Sequence, residues 1–260
     1  MITCKIMGGL GNMMSQIAFV EYQAHKHNLE SGYWNIDAAL NHLNNEKHNR
    51  PNLKHAREYL SIFENFEWPR NMKECPRETV KVPFWYEDIE IKNNVNYDGY
   101  FQSVKYYPDR SFVLNLFQPS DFVKHHIGRY EKLLKGTTCS IHVRRGDFLK
   151  YDLHKVRDKV FYEKCMDKVG EVDRYLVFSD DIEWCRENFQ GDKFVFIEHE
   201  KDYIELFVQS KCDHNIISSS SFSWWAAYLN TNEHKKVVGP KQWFSVEKRN
   251  DIIPEGWITI

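Results

Sequence analysis

The chain has 260 residues, of which 42% are hydrophobic, 28% charged and 15% Phe, Tyr or Trp. That composition builds a globular core and excludes a disordered chain. Thirty-five Lys and Arg against 37 Asp and Glu leave a formal net charge of -2, which excludes a general nucleic-acid binder with a basic footprint and requires any anion site to be local.

ITCKIM, GGLGN and MMSQIAFVEYQAHKHN follow one another at the start and predict a strand, a tight turn and a helix, with Ile17, Val20 and Ala24 on one helix face. This opening is expected to leave no room for a leader or an anchor helix, and no apolar run approaches the roughly 20 residues needed to span a bilayer. SGYWNID predicts a second strand. The polar middle, up to DGYFQS, is assigned only loosely. FQSVKYYPDRSFVLNLFQPSDFVKHHIGRYEKLLKG predicts a connector and a helix with Phe122, Ile127, Tyr130 and Leu134 towards one side.

From Thr137 the rhythm becomes regular. CSIHV, RYLVFS, KFVFIE and HNIIS predict strands, separated by helices over DKVFYEKCMDKVG, DIEWCRENF and KDYIELFVQSK and followed by a helix over FSWWAAYLN. Such alternation predicts parallel strands with crossover helices. The expected division is 1–136 and 137–260, with the boundary near Lys135 to Thr138.

The cysteines at 4, 75, 139, 165, 185 and 212 show no CxxC or other ligand spacing, so free thiols in a reducing compartment are expected. There is no HExxH and no Asp-x-Asp pair to hold a divalent ion, and no G-x-S-x-G elbow. The opening glycines fail the G-x-G-x-x-G dinucleotide pattern, because Met14 stands at the last glycine, and no Walker lysine follows. Nicotinamide enzymes, P-loop kinases and serine hydrolases are thereby disfavoured.

The anion site is expected where HVRRGDF leaves its strand. Arg144 and Arg145 fall at the carboxyl end of CSIHV, and two forked guanidiniums there suit a diphosphate. The plain alternative is that they form salt bridges. SSSSFSWW, 218–225, follows a strand and opens a helix, so its hydroxyls and backbone N–H groups form a natural anion cradle, or else merely cap a helix that buries Trp224 and Trp225. FSDD ends another strand with Asp180 and Asp181, suited to ribose or base donors or to a helix cap. Glycines 8, 9 and 11 allow close backbone approach, with Asn12 at the helix start.

GGLGN, HVRRGDF, FSDDIEW, CDHNIISSSSFSWWAAYLN, GPKQWF and PEGWITI, in this order across the chain, resemble the α-1,2-fucosyltransferases of glycosyltransferase family 11. The resemblance implies an α/β, GT-B-type fold of two Rossmann-like halves facing a cleft. The first half would lie on the acceptor side and the second would bind the nucleotide sugar. It implies inverting transfer of L-fucose from GDP-β-L-fucose to a hydroxyl of a glycan acceptor, the 2-OH of a galactoside, with no metal and no cofactor.

The resemblance gives Arg144 and Arg145 the β-phosphate, with Ser220, Ser221 and the Phe222 backbone completing the cradle. His142 and Asp147 would orient the arginines or line the sugar site. Gly9, Gly11, Asn12, Asp180 and Asp181 would bind the donor, and Glu205, where the family places an Asp, would meet guanine. Asp147 and Asp37 are the candidate bases. This chain departs from the family's Gly-Asn-Gln-Met-Phe-Gln by carrying Asn12, Met13, Met14, Ser15 and Gln16. The alternatives are a related GT-B enzyme with another sugar nucleotide, or an inactive sugar-nucleotide or glycan-binding module. The expected partners are donor and acceptor, without nucleic acid, in a cytoplasmic or membrane-peripheral protein.

Overall fold

In the computed structural model, residues 1–43, 56–68, 75–76, 78–150, 155–245 and 251–260 are described. They form two compact units: Met1–Asp121 with Asp251–Pro254, and Phe122–Asn250 with Glu255–Ile260. Residues 122–136 thus group with the second unit, where the sequence boundary had set them with the first.

The first unit begins on strand β1 (Ile2–Lys5) and passes through a glycine turn into helix α1 (Leu10–His27). The apolar face of α1 is broader than Ile17, Val20 and Ala24 alone, because Met13, Met14, Ala18 and Phe19 are also buried. The helix stops at Asn28, which takes the left-handed conformation and turns its N–H back to the carbonyls of Ala24 and His25, an Asn version of the usual glycine stop.

Strand β2 (Ser31–Trp34), helix α2 (Ile36–Leu43), strand β3 (Glu78–Lys81) and strand β4 (Val95–Asp98) complete this half. The strands form one parallel sheet in the order β2-β1-β4-β3, with Ile2 opposite Ser31 and Val95. Of the loosely assigned middle, 44–55, 69–74 and 77 lie outside the described residues.

Helix α3 (Arg110–Leu116) starts on Asp109, whose carboxylate accepts the N–H groups of Ser111 and Phe112, satisfying donors that a helix start leaves open. Helix α4 (Asp121–Gly128) buries Val123 and Ile127, an i, i+4 pair. Phe122 stands 49% exposed, contrary to its expected place on the apolar side, because it lies about 100–140° around the helix from those two positions.

The second unit follows the predicted alternation closely. It runs through strand β5 (Thr138–Val143), helix α5 (Lys159–Val169), strand β6 (Arg174–Ser179), helix α6 (Ile182–Asn188) and strand β7 (Phe194–Phe196). Helix α7 (Asp202–Lys211), strand β8 (His214–Ile216) and helix α8 (Ser221–Leu229) come next. Two short strands absent from the sequence reading, β9 (Val237–Gly239) and β10 (Ile258–Thr259), finish the sheet. All pairings are parallel, in the order β10-β9-β8-β5-β6-β7.

β5 is the centre of this sheet, and all six of its residues are buried, so it reads as a continuous run instead of an alternation. Cys139, Ile141 and Val143 pack with Tyr162, Cys165, Val177, Ile216 and Val238. Full burial of such side chains contributes about 1.5–3 kcal/mol each.

A polar thread crosses the buried region. The Asn215 amide donates to Ser140 Oγ at 2.7 Å and to the Gln209 carbonyl at 2.8 Å, and the Asn230 amide donates to Asn215 Oδ1 at 2.8 Å and to the Cys212 carbonyl at 2.7 Å. The block from 212 to 230 is therefore bracketed by asparagines that tie α8 back to the central strands. All six cysteines are free thiols. Among the described residues no helix is long and apolar enough to cross a membrane.

Candidate active site

Chain order across the second sheet reverses at β5. The chain steps outward through β6 to β7 and then returns to the other side of β5 with β8, β9 and β10. Ligands of parallel α/β sheets bind outside the carboxyl ends of the strands at such a reversal. The RRGD turn after β5 and the serine run after β8 flank that point.

The two arginines are held by carboxylates. Arg144 donates from Nη2 to Asp147 Oδ1 at 2.6 Å and from Nη1 to Asp180 Oδ2 at 3.1 Å. Arg145 donates from Nε to Asp181 Oδ2 at 2.9 Å, and its backbone N–H donates to Asp180 Oδ1 at 2.9 Å. Its guanidinium also lies 4.4 Å from the Trp184 ring centroid, a cation–π seat supplied by α6. Charged hydrogen bonds of this kind are short and directional, so Arg144 is held at both terminal nitrogens and Arg145 at Nε.

Gly146 completes the turn for a steric reason. A Cβ there would lie 2.5 Å from Asp180 Oδ2, an atom that Arg144 already holds. Asp180 and Asp181, expected as donor ligands, hold the two arginines. Asp181 also caps α6 by accepting the Trp184 N–H at 3.3 Å.

On the other flank the four serines divide. Ser218 and Ser219 are buried. Ser218 Oγ lies 2.8 Å from His142 Nδ1, and Ser219 Oγ accepts from Arg157 at 2.9 Å. Ser220 and Ser221 are half-buried, and Ser220 caps α8 without turning its hydroxyl to a helix N–H. The first turn of α8, with Phe222 in it, therefore presents backbone donors and the positive end of the helix dipole at the same strand-end edge.

His142 is 6% exposed. Burial, with the Arg144 charge behind it, lowers its pKa to about 3, so it is neutral near pH 7. Its ring faces Phe222 at 5.4 Å. It bolts β5 to the serine run.

Glu205, on α7, is half-buried. Burial first, and then the carboxylates of Asp202, Glu200 and Asp180, push its pKa well above the usual carboxylate value. A carboxyl in such company gains from N–H donors brought by a ligand.

The first unit has a quieter strand-end edge. Asn12 Oδ1 accepts from Gln102 Nε2 at 2.7 Å. Gln16 accepts the Met7 N–H at 3.1 Å and donates to the Gly99 carbonyl at 3.3 Å. Gly8, at φ +80, would put a Cβ 2.4 Å from Asn12 Nδ2, so the turn needs glycine there on two grounds. Gly9 and Gly11 lie at the start of α1. Asp37 is an exposed carboxylate 3.7 Å from Arg57.

Sequence reasoning did not single out Trp184 or Arg157. The first stood inside the quoted block FSDDIEW without a role. The second is a lone arginine in a polar stretch.

Comparisons with known proteins bear on the family and the fold. The sequence matches the family described as Glycosyl transferase family 11 over residues 1–260. It is 26% identical to an alpha-1,2-colitosyltransferase of Escherichia coli over 100% of this chain and 98% of that protein. It is 33% identical to the O-antigen biosynthesis glycosyltransferase WbnK of Escherichia coli over 66% of this chain, a match that spans 63% of the relative's own length. A solved structure of POFUT1 in complex with GDP shares the fold, at a TM-score of 0.55 and 12% identity, over 92% of this chain and 97% of that one. The chain has the α/β, GT-B-type fold and belongs to glycosyl transferase family 11.

Proposed function

We propose that the protein is an inverting, metal-independent glycosyltransferase that moves L-fucose from GDP-β-L-fucose to a hydroxyl of a glycan acceptor, the 2-OH of a galactoside. The second unit would hold the donor and the first would serve the acceptor. The observation that carries this reading is the pair of carboxylate-held guanidiniums in the turn after β5, with the serine run that opens α8 following the neighbouring strand β8 at the reversal point of the sheet.

In this reading the acceptor oxygen attacks the anomeric carbon on the side opposite the departing GDP. The bond to the β-phosphate oxygen breaks, and negative charge grows on the diphosphate. Arg144 and Arg145 meet that charge with N–H donors already oriented by Asp147, Asp180 and Asp181, so little reorganisation is needed as charge develops. Ser220, Ser221 and the backbone of Phe222 complete the cradle, and Glu205 takes guanine N–H donors. The glycosyl centre passes through an oxocarbenium-like state, as in glycoside hydrolysis. The acceptor proton therefore leaves late, and a weak carboxylate base suffices. Asp147, which sits in the arginine turn itself, fits that part better than the exposed Asp37. A cytoplasmic setting suits the free thiols.

A second reading changes only the sugar: the full-length relative named for colitose supports colitose in place of fucose as the transferred sugar. The test is turnover of a galactoside with labelled GDP-fucose, GDP-colitose, UDP-galactose and dTDP-rhamnose in EDTA. Transfer from a GDP-sugar is expected. Transfer only from UDP- or dTDP-sugars, or only after Mg²⁺ or Mn²⁺ is restored, contradicts the reading, and no transfer at all favours a binding module.

A further inference from the structure

Arg157 precedes α5 and is 7% exposed. Its Nη2 donates to Ser219 Oγ at 2.9 Å and also to the carbonyl oxygen of Gln242, and its guanidinium lies 5.3 Å from the Phe161 ring centroid. Ser219 follows β8 and Gln242 follows β9, two adjacent strands. One planar cation therefore clamps two strand ends on the edge where the serine run begins. Burying a guanidinium costs several kcal/mol in lost hydration, so a hydrophobic residue packed on Phe161 would be the cheaper way to fill this space.

We infer that Arg157 is a positioning residue for the diphosphate cradle: its grip on Ser219 and Gln242 fixes the segment that delivers Ser220 and Ser221 to the ligand. The inference rests on the donor-site reading above. Ser218 is bolted to His142 of β5 and Ser219 to Arg157, so two consecutive buried hydroxyls are anchored from two directions. The next two residues, half-buried, inherit their place from those anchors. Both bonds leave the single nitrogen Nη2, so lysine falls short not in its number of donors but because a compact ammonium on a flexible stem lacks the planar group that sits by Phe161 and fixes where that nitrogen points. Lysine keeps the positive charge at the site, so Arg157→Lys separates geometry from field.

The experiment is calorimetric titration with GDP of the full chain, as wild type, Arg157→Lys, Ser219→Ala, Ser220→Ala and the double variant Arg157→Lys with Ser220→Ala, each beside a melting curve. Arg157→Lys is expected to weaken GDP by about 10-fold or more, the worth of a charged hydrogen bond. Ser219→Ala, which keeps the arginine and removes only its partner, should weaken GDP in the same direction. Ser220→Ala should cost severalfold in the wild type and little when combined with Arg157→Lys, because a displaced serine has no contact left to lose.

Full additivity, or wild-type GDP affinity in folded Arg157→Lys and Ser219→Ala, overturns the inference while leaving the donor site standing. Failure of the wild type itself to bind GDP overturns the donor-site reading. Should Arg157→Lys not fold, Ser219→Ala decides alone, since it deletes one hydroxyl and adds no bulk.

Discussion

The two strand-end edges are built to the same plan from different chemistry. In the first unit the edge beside β1 is bridged by neutral amides, Gln102 to Asn12 and Gln16 to the Met7 N–H and the Gly99 carbonyl. In the second the edge beside β5 carries two guanidiniums on three carboxylates, opposite a helix start. Amides orient polar ligands without favouring either sign of charge, whereas preorganised cations reward a ligand whose negative charge grows during reaction. A chain with a net charge of -2 concentrates its anion chemistry in one turn.

The largest expected effect breaks that turn. Arg145→Ala should lower kcat about 100- to 1000-fold, and Arg145→Lys should recover only part of it because the planar group that Asp181 holds at Nε is lost. Steady-state kinetics beside melting curves decide between this and a purely structural ion pair. A destabilised protein with normal kcat in its folded fraction contradicts the catalytic role.

Gly146→Ala attacks the same turn indirectly. The added Cβ pushes Asp180 off Arg144, and a loss of about tenfold in kcat is expected, the worth of one charged hydrogen bond. Asp180→Asn, which keeps the shape and removes the charge, should cost less. Equal losses would mean that charge rather than placement is what Asp180 supplies.

On the neutral edge, Asn12→Ala removes one uncharged hydrogen bond, about 0.5–1.5 kcal/mol, so substrate KM should rise about 2- to 10-fold. A loss as deep as that of Arg145→Ala would erase the contrast between the two edges.

The smallest effect concerns pH. His142 is neutral in the fold, with its pKa lowered to about 3 by burial and by Arg144, against about 6.5 when unfolded. Between those values the unfolded chain binds the extra proton, so this histidine's contribution to stability is complete above about 6.5 and falls away as pH drops towards 3. Melting temperature against pH for wild type and His142→Asn should converge in acid. Turnover should show no limb between pH 5 and 8 that disappears in His142→Asn.

Much of the second unit was legible because its signals are local. Buried runs such as CSIHV and RYLVFS, separated by capped amphipathic helices, state their own structure. VVG and IT are too short to carry a period and become strands only because β8 and β9 offer them an edge. ETVK is polar and largely exposed, so β3 gave no apolar signal. Residues 122–136 belong with the second unit through contacts that composition does not record, such as Arg129 and Tyr130 on Glu200.

In the site, the arginines and serines were legible as residue types, but not their pairings. Asp180 and Asp181 were expected to face the donor, and their hold on the arginines was not foreseen. Arg157, in the run HKVRDK, had no spacing or neighbour to set it apart, and its meaning comes only from two strand ends distant in sequence.

The central claim is that the turn after β5 recognises a diphosphate. It is tested most directly by the ratio of GMP to GDP dissociation constants, measured by calorimetry in wild type and in Arg145→Ala. The β-phosphate adds the charge that the forks meet, so the wild type should bind GDP at least tenfold more tightly than GMP, a difference of about 1.4 kcal/mol. Arg145→Ala should shrink the ratio severalfold while changing GMP affinity little, with Arg144 and the serine cradle keeping the rest. Equal binding of GDP and GMP by the wild type, or a preference for GDP undiminished in Arg145→Ala, contradicts the account.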